Sequence, residues 1–187
     1  MKQQPSPHAR RADSALAPVA FQREEAGGEI EVSSPQICAG TAIPARHTAY
    51  GGGISPRLRW NPVDGARSYA LLVEDPDAPQ PRPFVHWLAW NIPPGVHELP
   101  EGVAQTARPE AVQGMCQGLN GRGQAGYFGP RPPRGDDPHR YHFQVFALDR
   151  TLALPDDAER TDLLTAMHGH VLAKGRLVAT SQAPATP

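Results

Sequence analysis

Asp75-Pro76-Asp77-Ala78-Pro79 sets two carboxylates close together on a backbone that its prolines restrict. A proline fixes its own φ and drives the residue before it out of the helical region. Both acids are therefore held on stiff, extended chain and lose little entropy on binding. Acids in such turns ordinarily accept loop hydrogen bonds, and that reading suits Asp77. Asp75 shares parity with Leu71 and Val73 in the apolar run before it, which points it to the core side and toward a site role. Next comes His86, heading the run His86-Trp87-Leu88-Ala89-Trp90. A histidine at a strand edge, taken alone, is more often a packed structural residue than a working one. A third segment reads Gly126-Tyr127-Phe128-Gly129-Pro130-Arg131-Pro132-Pro133-Arg134-Gly135-Asp136-Asp137-Pro138-His139-Arg140-Tyr141 and runs into a strand pattern. There His139, Tyr141, Phe143 and Val145 share one face, so an imidazole and a phenol are presented together beside core residues.

The chemistry open to these groups is anion binding. Imidazole N–H groups of His86 and His139, the Tyr141 hydroxyl and backbone N–H groups near Gly129 could donate to a phosphate monoester or a carboxylate. Asp75 would accept from a histidine ring nitrogen, fix which nitrogen faces the ligand and favour the imidazolium, so affinity should rise as pH falls. Arg131 or Arg134 could add charge at the rim; solvated loop arginines are the plainer alternative. The competing reading is an enzyme in which Asp75, His86 and His139 serve acid–base or metal-assisted hydrolysis. Against it, the chain has no Gly-x-Ser-x-Gly elbow, and neither Cys38 nor Cys116 lies in a motif that pairs it with these histidines. No catalytic residue, metal ligand or cofactor is assigned. His168 and His170 read as surface or packing residues.

Short strand-like runs must carry these groups: 29–32, 58–60, 68–74, 85–92 and 141–148, separated by turn clusters. Tyr69, Leu71 and Val73 oppose Ala70 and Leu72, and Leu88, Trp90 and Ile92 oppose Val85, Trp87 and Ala89. Strands apolar on both alternating faces are covered on both sides. One helix is expected after Pro155, with acids Asp156, Asp157 and Glu159 at its positive end and an apolar stripe of Leu163, Leu164, Met167, Val171 and Leu172. Gly175 would close it, and a short last strand would follow at 177–179. Residues 1–28 read as a flexible extension, 29–181 as one domain and 182–187 as a loose tail.

Composition narrows the function classes. The chain has 187 residues, with 18 Lys+Arg against 19 Asp+Glu and a formal charge of −1. A protein held to nucleic acid by phosphate contacts needs a basic excess, so DNA and RNA are not expected partners. With 18 Gly and 22 Pro, a turn-rich globular fold is expected rather than a helical bundle. Cys38 and Cys116 lie far apart outside any zinc spacing and are expected to be reduced and buried. The early apolar run 15–21 is broken by Pro18 and follows Arg10-Arg11, so the cytoplasm is the default compartment and twin-arginine export the alternative. No segment is long enough for integral membrane association, and a monomer or homodimer is expected.

Asp-Pro-Asp-Ala-Pro followed by a histidine heading an apolar strand, then Gly-Pro-x-Pro-Pro-x-Gly-x-x-x-His-Arg-Tyr before another strand, resembles the phosphatidylethanolamine-binding protein (PEBP) family, the Raf-kinase-inhibitor-like proteins, in its bacterial branch. Ile54-Ser55-Pro56-Arg57-Leu58-Arg59-Trp60 and Asn91-Ile92-Pro93 add to the resemblance, which covers about residues 29–181. It implies a mainly β fold: a large central antiparallel sheet packed on a smaller sheet, with a few peripheral helices including one near the C-terminus. It also implies a small pocket for phosphate-bearing ligands such as a phospholipid head group or nucleotide, and for some relatives regulation through a protein partner. By motif position Asp75, His86, His139 and Tyr141 resemble the family's pocket residues, with Asp77, Pro79 and Gly129 around them and Phe84 as an aromatic wall. The resemblance further implies a cis bond at Ala78-Pro79. Gly53 replaces the family's usual Asn, and Arg131 fills a position that is often small.

Overall fold

The computed structural model describes residues 19–185. Four long strands form its body: β4 (Ser68–Asp75), β5 (Phe84–Ile92), β8 (His139–Leu148) and β9 (Val171–Ser181). With the short edge strands β1 (Gly28–Glu29) and β7 (Cys116–Gln117) they make a six-stranded sheet of order β1-β9-β8-β4-β5-β7. Every neighbouring pair is antiparallel except β1, which runs parallel to β9. A smaller antiparallel sheet consists of β2 (Val32–Ser33), β3 (Leu58–Trp60) and β6 (Glu98–Leu99).

The two apolar faces of the long strands explain the layers. Leu71, Val73, Trp87, Tyr141, Phe143 and Val145 pack toward Leu58, Trp60 and Leu99 of the small sheet. On the opposite face, Leu72, Leu88, Trp90, Phe146 and Leu148 meet Leu163, Leu164 and Met167 of α2 (Arg160–Met167). Each such fully buried large side chain contributes about 1.5–3 kcal/mol. A capping box between Glu159 and Asp162 starts α2.

Strict alternation fails at two places on β5, both of them β-bulges. Pairing shifts by one residue between Val73↔Trp87 and Glu74↔Val85, which leaves His86 as the extra residue. A second shift lies between Tyr69↔Ile92 and Leu71↔Ala89, beside Asn91 at φ +53. It moves Ile92 to the face of Trp87 and Ala89 rather than that of Leu88 and Trp90.

The C-terminal region also departs from expectation. The helix ends at Met167, Gly169 turns at φ +77, and Val171 and Leu172 begin an 11-residue strand instead of completing a helical stripe. Gly175 is no helix end: a Cβ there would lie 1.8 Å from the Ile30 carbonyl oxygen, so the glycine lets the incoming chain cross β9. That crossing divides the expected run 29–32, giving β1 to the large sheet and β2 to the small one.

Residues 1–18 of the expected extension lie outside the described residues; within 19–28, Val19, Ala20 and Glu24 are buried. There α1 (Ala20–Arg23) caps a fully buried acid: the Ala20 N–H donates to Glu74 Oε2 at 2.7 Å. Gln144 and Arg160 complete the shell of that carboxylate. The start of the expected tail is tied too, with Gln182 Nε2 donating to the Asp136 carbonyl at 3.1 Å; 186–187 lie outside the described residues. Cys116 is buried and Cys38 exposed, and both are free. No helix among the described residues is long and apolar enough to cross a membrane.

Candidate functional site

Because β4 lies between β5 and β8 and runs antiparallel to both, its end meets their beginnings. Asp75 closes β4, His86 sits near the start of β5 and His139 opens β8. The bulge at His86 turns its ring to the face of Tyr141, which it meets edge-on at a centroid distance of 5.1 Å. A cavity of about 240 Å³ opens there, lined by Asp75, Pro79, Phe84, His86 and His139 from the expected set. Arg122, Phe128 and Arg131 add to its wall.

His139 and Asp75 are the tightest pair. Nδ1 of the imidazole lies 2.8 Å from Asp75 Oδ2, with both side chains almost fully buried. Nε2 faces a second carboxylate, Asp136 Oδ2, at 3.4 Å. Burial alone would lower the His139 pKa, but the hydrogen bond and charge of Asp75, with Asp136 behind them, raise it above the ordinary value. Both ring nitrogens face carboxylate oxygens, an arrangement that favours the imidazolium, in which each carries a proton.

His86 is the opposite case. Its Nδ1 donates to the Phe128 carbonyl at 2.7 Å, and the Phe128 N–H returns a bond to the His86 carbonyl at 2.7 Å. Burial lowers its pKa from 6.5 to about 4, so near neutrality the ring carries one proton, on Nδ1. The N–H donation to an anion expected of His86 is therefore absent at neutral pH; Nε2 is an acceptor. Phe84 and Phe128 flank the ring at centroid distances of 4.8 and 5.7 Å.

The turn after β4 is closed without a cis bond. Asp75 Oδ1 accepts from the Asp77 N–H at 2.8 Å, the Gln80 N–H reaches the Ala78 carbonyl at 2.7 Å, and Ala78-Pro79 is trans. The side-chain cap and this tight turn already reverse the chain, which removes the need for the expected cis form. Asp77 does not line the cavity. It grips Arg140, accepting from Nε at 2.8 Å, Nη2 at 2.6 Å and the backbone N–H at 2.8 Å, and so clamps the first proline-rich segment to the second. Burial would raise its pKa, yet those bonds outweigh it and hold the carboxyl below the usual range.

Two further expected residues act from behind the wall. The Tyr141 hydroxyl is buried, and burial together with the charge and hydrogen bonding of Asp75 pushes its pKa far above the ordinary phenol value. Gly129 is pressed against the segment 47–49, where a Cβ would stand 2.6 Å from the Ala49 nitrogen and 2.7 Å from the Thr48 carbonyl carbon. The adjoining Pro130 carbonyl accepts from the Ala49 N–H at 2.9 Å, and the Tyr127 hydroxyl donates to the His47 carbonyl at 2.7 Å. Gly129 thus positions the loop rather than lining the cavity.

Sequence reading assigned no role to Arg122, Phe128, Asp136 or Arg140. Arg122 stands in an unremarkable loop with its guanidinium over the Phe128 ring at 5.6 Å, and no motif marks it. Asp136 and Arg140 lie inside the second motif, where adjacency to His139 was the available signal. Among the described residues no group of three or more His, Cys, Asp or Glu is arranged to hold a metal ion.

Comparison with known proteins bears on the family and the fold. The sequence model of the phosphatidylethanolamine-binding protein family matches residues 33–182. A UPF0098 protein of Pyrococcus abyssi is 47% identical over 137 residues, covering 73% of this chain and 76% of its own. Among solved structures, a PEBP homologue of Chlamydia trachomatis superposes with a TM-score of 0.74 at 34% identity, covering 84% of this chain and 99% of its own. YbcL of E. coli, described as a member of the mammalian PEBP family, superposes with a TM-score of 0.78 at 30% identity, covering 84% of this chain and 100% of its own.

Proposed function

The chain belongs to the phosphatidylethanolamine-binding protein family, and from that premise we propose that the cavity between Asp75, His86 and His139 is a receptor for a small phosphate-bearing anion. One observation carries the reading: His139, whose pKa the buried Asp75 raises, shares the site with Arg122 and Arg131, neither ion-paired among the described residues. Three cations outnumber the two carboxylates Asp75 and Asp136, so the site attracts negative charge. Phe84 and Phe128 exclude water from one side and strengthen those charges. A cavity of about 240 Å³ suits a head group rather than a long chain.

Binding is favoured over acid–base catalysis by the state of the two rings. His139 has both nitrogens directed at carboxylates and offers no lone pair as a base, while His86 has a lone pair but no carboxylate orienting it. Regulation of a protein partner, which the family resemblance implies, would act through the loops at the cavity mouth.

Calorimetric titration with inorganic phosphate, phosphoethanolamine and a nucleoside monophosphate tests the proposal. Wild type should take up at least one of them, and His139→Ala should weaken that binding by about tenfold or more. No uptake by wild type refutes the receptor reading.

A further inference from the structure

Two polar groups, His86 on the cavity wall and Asp136 beside the cavity-lining His139, accept hydrogen bonds rather than donate them. A backbone carbonyl can only accept, so His86 Nδ1, 2.7 Å from the Phe128 oxygen, must carry the ring proton. His86 is 3% exposed, none of its hydrogen bonds is to a carboxylate, and burial keeps it neutral down to about pH 4. Its Nε2 lone pair belongs to a ring on the cavity wall and has no protein donor. Asp136 is the second acceptor. It reaches His139 Nε2 at 3.4 Å, a long contact, and its 23% exposed side chain keeps acceptor capacity in hand. Its backbone is anchored by the Gln182 amide and its position follows the Gly135 turn at φ +91, so the carboxylate is held at this edge of His139.

The donors at the site are Arg122, Arg131 and the Nε2 edge of His139, which Asp136 engages only through the long 3.4 Å contact. An anion made only of acceptors satisfies these donors but is set against the His86 lone pair and the Asp136 charge. An acceptor facing an acceptor loses its hydrogen bond and adds repulsion, and that penalty exceeds the gain from an average bond. An oxyanion with one acidic O–H meets both sets at once.

We infer that the site is built for a tetrahedral oxyanion that brings its own hydroxyl, either hydrogen phosphate or the protonated form of a phosphomonoester, and that His86 Nε2 and Asp136 read that proton and reject sulfate. The inference rests on the receptor reading above and adds the ligand's protonation state as the feature recognised. Asp136 then limits which anions reach His139, and its removal broadens the range accepted.

Titration of the full chain with inorganic phosphate, phosphoethanolamine and sodium sulfate at about pH 6.5 separates the cases, phosphate and sulfate having the same shape and differing in the proton. Wild type should bind phosphate at least about tenfold more tightly than sulfate. Asp136→Asn, which keeps size and supplies a donor, should bring sulfate to within about threefold of phosphate, and Asp136→Ala should move the ratio the same way. Uptake of phosphoethanolamine alongside phosphate points to a head-group source and uptake of phosphate alone to the free ion; each supports the inference. Equal wild-type affinity for phosphate and sulfate, or a ratio untouched in both folded variants, overturns the inference and leaves the receptor standing. No uptake of any of the three overturns both.

Discussion

His139 sits between two carboxylates of unequal standing. Asp75 is buried with it at 2.8 Å, whereas Asp136 is part-exposed at 3.4 Å. Asp75 therefore sets the charge of the ring, and Asp136 sets what may approach it. Asp75→Asn should shift the imidazole titration of His139, followed by its ring NMR signals, to lower pH, because burial then acts without the opposing carboxylate. Phosphate affinity at about pH 7 should drop by about tenfold and recover on acidification as the ring regains its proton. An unmoved titration would show that Asp75 only packs. Strand parity and the two proline-rich motifs single out Asp75 and His139 as separate residues, but which histidine Asp75 holds was not legible in the sequence, since it depends on how the ends of β4 and β8 meet. The protonation of His86 was not legible either, because it depends on a carbonyl 42 residues away that only the folded loop delivers.

The loop bearing Gly129 and Phe128 holds His86 from the front while the bulge in β5 turns it from behind. Gly129→Ala puts a methyl carbon against backbone atoms of residues 48 and 49, which cannot step aside as a flexible side chain would. It should cost about 1–3 kcal/mol in urea unfolding and also weaken phosphate binding, since displacing the loop disturbs the Phe128 carbonyl on His86. Loss of stability with binding intact would separate the loop from the site. The same two physical effects mark the limits of pattern reading. Period-two alternation located β4, β5 and β8 and both sheet faces, yet it cannot register an extra residue, so it missed the re-aiming of His86 and the change of face at Ile92. Leu163, Leu164, Met167, Val171 and Leu172 do fall at helical spacing. The turn at Gly169 and the clearance that β9 needs at Gly175 are tertiary facts that override the period.

Over the whole molecule, the buried histidines make stability depend on pH with a definite sign. His86 and His142 each have a pKa lowered from 6.5 to about 4, by burial in the first case and by burial with Arg176 and Arg140 in the second. His142 also has both ring nitrogens buried without a partner. Unfolded, either ring takes a proton near its usual 6.5; folded, it resists until about 4, so falling pH across that interval favours the unfolded chain. His139 works on the other side. Its raised pKa gives stability that is complete below 6.5 and lost as pH rises through the folded value. Asp77, lowered from 3.8, loses its contribution only under more acid conditions. Stability should therefore be greatest near pH 6.5 and fall by up to about 3 kcal/mol per lowered histidine toward pH 4. Urea midpoints measured at about pH 4.5 and 6.5 should differ for wild type, and His142→Leu, of similar volume and without a titrating ring, should remove roughly half of that difference. The phosphate site pulls against this trend: acid strengthens the imidazolium that receives the anion while weakening the fold that positions it. With saturating phosphate the wild-type midpoint should accordingly rise more at pH 6.5 than at an alkaline pH above the raised titration of His139. An equal rise at both would mean that the bound anion does not sense the charge on His139.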